Sequence, residues 1–102
     1  MISKVDITDM APEVANIDTI LSERGNRYGS FIGHSAITQG LKAIMAATPN
    51  WEKLAVDQRE ALDMVAHKIG RVLNGDPDYL DSWVDIVGYT QLVVDRLNGK
   101  TR

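Results

Sequence analysis

Residues 57–99 read DQREALDMVAHKIGRVLNGDPDYLDSWVDIVGYTQLVVDRLNG, and two helices with one stop between them account for nearly every position. Asp57 stands where a helix cap belongs and Glu60 follows three residues later, the spacing of a capping box. Leu62, Val65, Ala66, Ile69, Val72 and Leu73 then recur at intervals of three and four. Asn74-Gly75 supplies the C-terminal stop and Pro77 blocks continuation, so the spacing predicts a helix over Asp57 to Leu73. A second helix follows from about Asp78 to Leu97, with Leu80, Trp83, Val84, Val87, Val94 and Leu97 on one side and Asn98-Gly99 ending it. So short a link between two long helices makes them antiparallel neighbours, with Leu62, Ile69, Trp83, Val87 and Val94 expected in the core.

Upstream the pattern is shorter but of the same kind. Ile17, Ile20 and Leu21 start a helix that ends near Arg24 to Tyr28, where Gly25, Asn26 and Gly29 accumulate. His34 to Ala47 carries Ile37, Leu41, Ile44 and Met45 at helical intervals, and Pro49-Asn50 closes it. Residues 1–16 show short hydrophobic islands (Val5, Ile7, Met10, Val14) broken by Asp6, Asp9 and Pro12, and read as an arm. The expected architecture is therefore all-α: an arm over 1–16, one four-helix bundle-like domain over 17–98 with a C-terminal antiparallel hairpin, and a tail over 99–102.

Composition narrows the function classes. The 102 residues are 44% hydrophobic and 25% charged, which suits one folded domain. With no cysteine, disulfides, thiolate metal sites and cysteine nucleophiles are excluded, and a cytoplasmic setting is the expectation. No leader-like or membrane-spanning run occurs, so no membrane partner is expected. A net charge of −3 argues against non-specific nucleic-acid binding. No Gly-x-Ser-x-Gly elbow is present, and neither histidine is tied to a serine by a motif.

Two clusters carry the chemistry. Glu60, Asp63 and His67 lie on the third helix, and Asp81 and Asp85 on the fourth. The i,i+4 spacing of Asp63 with His67 and of Asp81 with Asp85 projects each pair from one side of its helix. Four carboxylates from antiparallel helices suit Mg²⁺, which takes oxygen ligands, keeps several waters and accepts substrate phosphate. Ordinary solvated charges occupy the same positions on a helix. An interhelical network in which Lys68 or Arg71 pairs with Asp81 or Asp85 is the third reading. The second cluster is Glu23-Arg24-Gly25-Asn26-Arg27-Tyr28-Gly29-Ser30-Phe31. Its arginines and backbone N–H groups suit a phosphate while Tyr28 or Phe31 stacks a base, and a rigid turn with buried aromatics explains it equally. His34, at the start of the second helix, reads as a capping or surface residue. Trp51 reads as a core anchor, and Trp83 as core. Met64, Gly88, Tyr89 and Leu92 give the last two helices a second apolar side, from which a homo-oligomer is expected.

The motifs Glu23-Arg24-Gly25 with Tyr28-Gly29, Lys68-Ile69-Gly70-Arg71, and Asp81-Ser82-Trp83-Val84-Asp85-Ile86-Val87-Gly88-Tyr89 form the pattern ERG-x-x-YG, K-I-x-R, D-x-W-x-D-I-x-GY. Over roughly Ile17 to Leu97 the chain resembles short phage and prophage proteins that share this order of motifs and have no settled activity. More distantly, Asp81 to Tyr89 is similar to the second acidic motif of the MazG and dimeric dUTPase group of all-α nucleoside triphosphate pyrophosphohydrolases. That resemblance implies Mg²⁺ held by Glu60 and Asp63 with Asp81 and Asp85, and cleavage of a triphosphate to monophosphate and pyrophosphate. In this hydrolytic reading Arg24, Arg27 or Lys68 is expected to steady the phosphates, and Tyr28 and Arg71 complete the candidate ligand-binding set. The chain departs from the pattern in its Glu-x-x-Asp and Asp-x-x-x-Asp spacings and in the intrusion of Lys68 and Arg71. A metal-free binding protein that sequesters a nucleotide signal, or that inhibits a host defence protein, is the alternative to the hydrolase.

Overall fold

The computed structural model describes residues 16–101. Apart from Asn16, the expected N-terminal arm lies outside the described residues, as does Arg102. Four helices follow one another: α1 (Ile17–Tyr28), α2 (Phe31–Ala46), α3 (Val56–Asn74) and α4 (Leu80–Leu97), with a 3₁₀ turn at Trp51–Lys53. No strand occurs among the described residues, so the all-α expectation holds. No described helix is long and apolar enough to cross a membrane.

Local chemistry sets the boundaries. α1 runs straight through Gly25-Asn26 and the chain reverses at Gly29, whose φ of +77° is left-handed backbone that favours glycine. Ser30 is extended and its Oγ accepts the Gly33 N–H at 3.1 Å, so α2 starts at Phe31, three residues before the expected His34. α3 starts at Val56, and the capping box expected from Asp57 and Glu60 is not formed. Instead the Ala55 N–H donates to Gln58 Oε1 at 2.8 Å. Asp57 is drawn away by Arg96 of α4, whose Nε and terminal nitrogen donate to its two oxygens at 2.8 and 2.7 Å. The α3–α4 link is tightened by the Asp78 N–H donating to Asp76 Oδ1 at 2.9 Å, and α4 begins at Leu80 rather than Asp78.

The packing differs from a closed bundle. α3 packs against both α2 and α4, whereas those two flanking helices make no comparable contact with each other. The three helices therefore lie side by side with α3 in the middle. Small residues allow this: Ala61 and Ala66 of α3 are buried, and Gly70 lets α2 approach so closely that a Cβ there would lie 2.5 Å from Thr38 Oγ1 and 2.8 Å from His34 Cδ2.

The core expected from the apolar stripes is corrected accordingly. Trp83, Val87 and Val94 of α4 are exposed, Leu62 is exposed at 39%, and Ile69 is half-buried. α4 turns its mixed side to α3, as buried Ser82 and the ion pairs Lys68–Asp85 (2.9 Å) and Arg96–Asp57 (2.7 Å) establish. Small and charged groups that pair across a helix contact outcompete the more apolar stripe for it, and that stripe is left bare.

A cationic cleft beside the α1–α2 turn

The end of α3 clamps the turn between α1 and α2. Asn74 Nδ2 donates to Tyr28 O at 2.7 Å and to Ser30 O at 2.8 Å, and the Asp76 N–H donates to Arg27 O. This bracing opens a cleft of about 530 Å³ between α1, the turn and α3. Arg24 and Tyr28 enter it from α1, Phe31 and His34 from α2, and His67 and Arg71 from α3.

Arg24 and Arg71 have no carboxylate partner among the described residues. The Arg71 guanidinium lies over the Tyr28 ring, 4.1 Å from its centroid, which holds the planar group in place. The first turn of α2 adds backbone donors: Ser30 takes the N–H groups of Gly33 and His34, leaving those of Phe31 and Ile32 without an acceptor among the described residues. The Phe31 ring stands 80% exposed at this edge.

Two histidines form the cleft's inner wall, their rings edge to face with centroids 4.5 Å apart. His34 is buried, and its Nε2 donates to the carbonyl of His67 at 2.8 Å. A carbonyl only accepts, so Nε2 carries the proton and Thr38 Oγ1, 3.3 Å away, shares it. His67 is pushed down to about 4, first by loss of solvent, then by His34 and by the positive charges of Arg71, Lys68 and Lys42. It is therefore neutral at physiological pH; burial penalises any charge at this wall, and the smaller contributions of Arg71, Lys68 and Lys42 make the local field positive.

The other expected ligand residues face elsewhere. Arg27 sits over the Tyr79 ring at 5.0 Å, behind the cleft, and Lys68 is drawn to Asp85. The structure thus brings together Arg24, Tyr28 and Arg71 from the expected set and adds Phe31, His34 and His67. His34 is not the capping or surface residue that its position after Gly33 suggests.

The four expected metal ligands are not gathered. No group of three or more His, Asp or Glu side chains able to hold a metal ion occurs among the described residues. Asp85 is taken by Lys68, and Asp81 accepts the Tyr79 hydroxyl at 3.1 Å, a bond that raises the Tyr79 pKa. Of the readings open for this cluster, the interhelical ion pair describes Lys68 and Asp85. No protein-family model, curated protein or solved structure matches this chain.

Proposed function

We propose that the protein binds a nucleotide or another phosphorylated small molecule in the Arg24–Arg71 cleft and sequesters it without hydrolysing it. The observation that carries this reading is the convergence of two unpaired guanidinium groups on one cleft in a chain whose net charge is −3. Arg71, fixed on Tyr28, presents its N–H edge to phosphate oxygens, and the free N–H groups of the α2 first turn add donors with the favourable end of the helix dipole. Phe31 offers an exposed face for a base. The hydrolytic alternative would need Asp85 to leave Lys68 and three or more carboxylates to meet around Mg²⁺. The binder acts as a homo-oligomer.

Isothermal titration of ATP, pyrophosphate and adenosine into the full chain tests the reading. ATP and pyrophosphate bind, and the Arg24→Ala and Arg71→Ala variants each lose tenfold or more in affinity. Incubation of ATP with Mg²⁺ releases no pyrophosphate. Absence of phosphate-dependent binding, or Mg²⁺-dependent pyrophosphate release that Asp85→Asn abolishes, overturns it.

A further inference from the structure

The layer formed by α2, α3 and α4 has two unlike faces. α1 and the cleft occupy the one that carries His67 and Arg71. At 100° per residue, Leu62, Val65, Ile69 and Leu73 of α3 point to the opposite face. The mainly apolar groove lined by Leu54, Gln58, Ala61, Leu62, Thr90 and Val93 fixes which side of α4 borders it: the side of Thr90, and with it Trp83, Val87, Val94 and Leu97. Nothing in the chain among the described residues covers this surface, on which Leu73 is 67% exposed and Val87 64%.

Two of its features suit burial rather than solvent. The polar groups in the stripe are already satisfied within the chain: Trp83 Nε1 donates to Pro77 O at 2.7 Å, and Thr90 Oγ1 donates to Ile86 O at 2.8 Å. Along the α4 stripe a covering partner therefore meets the indole ring and a methyl group and strands no donor of Trp83 or Thr90. The spacing is also that of a helix seam. Leu80, Val87 and Val94 repeat every seven residues, with Trp83, Thr90 and Leu97 in the second register, so the stripe stays on one side along all of α4.

We propose that this face of α3 and α4 is the docking surface for the same face of a second copy, so that two hairpins related by a two-fold axis close a four-helix core between them. A second copy is the occupant the surface selects. The face carries no charged side chain at Leu62, Val65, Ile69 and Leu73 of α3 or at Leu80, Trp83, Val87, Thr90, Val94 and Leu97 of α4, so no oppositely charged partner is called for. The required partner is a flat apolar surface of matching length, and the identical face provides one. Helix α4 is about 27 Å long and a two-helix face about 20 Å wide, which with protruding side chains approaches the ~800 Å² per partner of a standard interface. The cleft lies on the other face and stays open in such a dimer, so this inference stands apart from the nucleotide reading and does not depend on it.

Sedimentation equilibrium of the full chain at 5–100 µM is the test (~ concentrations, chosen to bracket a micromolar dimer). The expected mass is about twice the 11.3 kDa of one chain, still twice that of the shortened chain when residues 1–15 are deleted, and halved in Val87→Asp/Val94→Asp. Should that variant lose its helical circular dichroism, a Trp51→Phe chain decides, since Trp83 is then the one tryptophan. Acrylamide quenching of Trp83 falls as the protein is concentrated if the face is covered by a second copy. A single-chain mass throughout, a dimer lost on deleting residues 1–15, a dimer that survives the paired aspartates folded, or quenching independent of concentration overturns the proposal.

Discussion

Arg71 links two parts of the cleft: it stacks on Tyr28, and its positive charge bears on His67, one turn before it on α3. Replacing it with Lys keeps the charge and loses the planar stack, so affinity for pyrophosphate falls severalfold rather than staying unchanged, as titration calorimetry would register. His67 reports the same field. A bound phosphate offsets the positive charges around it and raises its pKa above the value of about 4, which proton-detected NMR titration with and without pyrophosphate measures. Because binding then takes up a proton, this histidine's contribution to affinity grows as pH falls toward about 4. Folding stability moves the other way. The His67 pKa lies below its unfolded value of 6.5, so its contribution is full above pH 6.5 and is lost as pH falls toward about 4. Arg24, Tyr28 and Arg71 were legible in the sequence because cations and an aromatic at a helix end have few structural duties there. His34 was not, since its burial depends on Gly70 of another helix, a contact no local pattern carries. Gly70→Ala should cost about 1–3 kcal/mol in urea unfolding, as overpacking at a tight helix contact does.

At the level of the elements, all four helices were readable from period and stop signals, and their errors share one cause. Ser30, Gln58 and Asp76 set local ends through side-chain hydrogen bonds that compete with the expected caps, and Asp57 was claimed by Arg96 across the hairpin. Such long-range partners are invisible within a window of one helix. The Lys68–Asp85 pair joins the same hairpin, with the Lys68 side chain only 10% exposed and Asp85 44%. Asp85→Asn leaves a largely buried ammonium unpaired and should cost about 1–3 kcal/mol, between the values for exposed and fully buried pairs. Adding Lys68→Met should restore most of it. A loss in Asp85→Asn that the second substitution does not reduce would mean the pair is not the source. Asn74→Ala removes both bonds that hold the α1–α2 turn, and should lower stability by about 1–3 kcal/mol and weaken pyrophosphate binding together.

For the molecule as a whole, the sequence conveyed that the last two helices are apolar on two sides, but not which side faces inward. The richer stripe, Leu80 to Leu97, is the bare one, because Ala61, Ala66, Ser82 and two ion pairs make the mixed sides fit. Helical periodicity ranks sides by hydrophobicity and contains no measure of how well two surfaces interlock. The same limit applies to the carboxylates: Glu60, Asp63, Asp81 and Asp85 share suitable spacings, yet no metal-holding group forms from them among the described residues. What remains is a layer with a largely apolar cleft entered by two arginines on one face and a bare apolar surface on the other, and the proposed function rests on the cleft. Backbone and side-chain NMR shifts on adding ATP to isotope-labelled protein test that assignment most directly. The account predicts changes concentrated at Arg24, Tyr28, Phe31, Ile32, His67 and Arg71, with or without Mg²⁺. Changes confined to Glu60, Asp63, Asp81 and Asp85 and requiring Mg²⁺, or no changes at all, would contradict it.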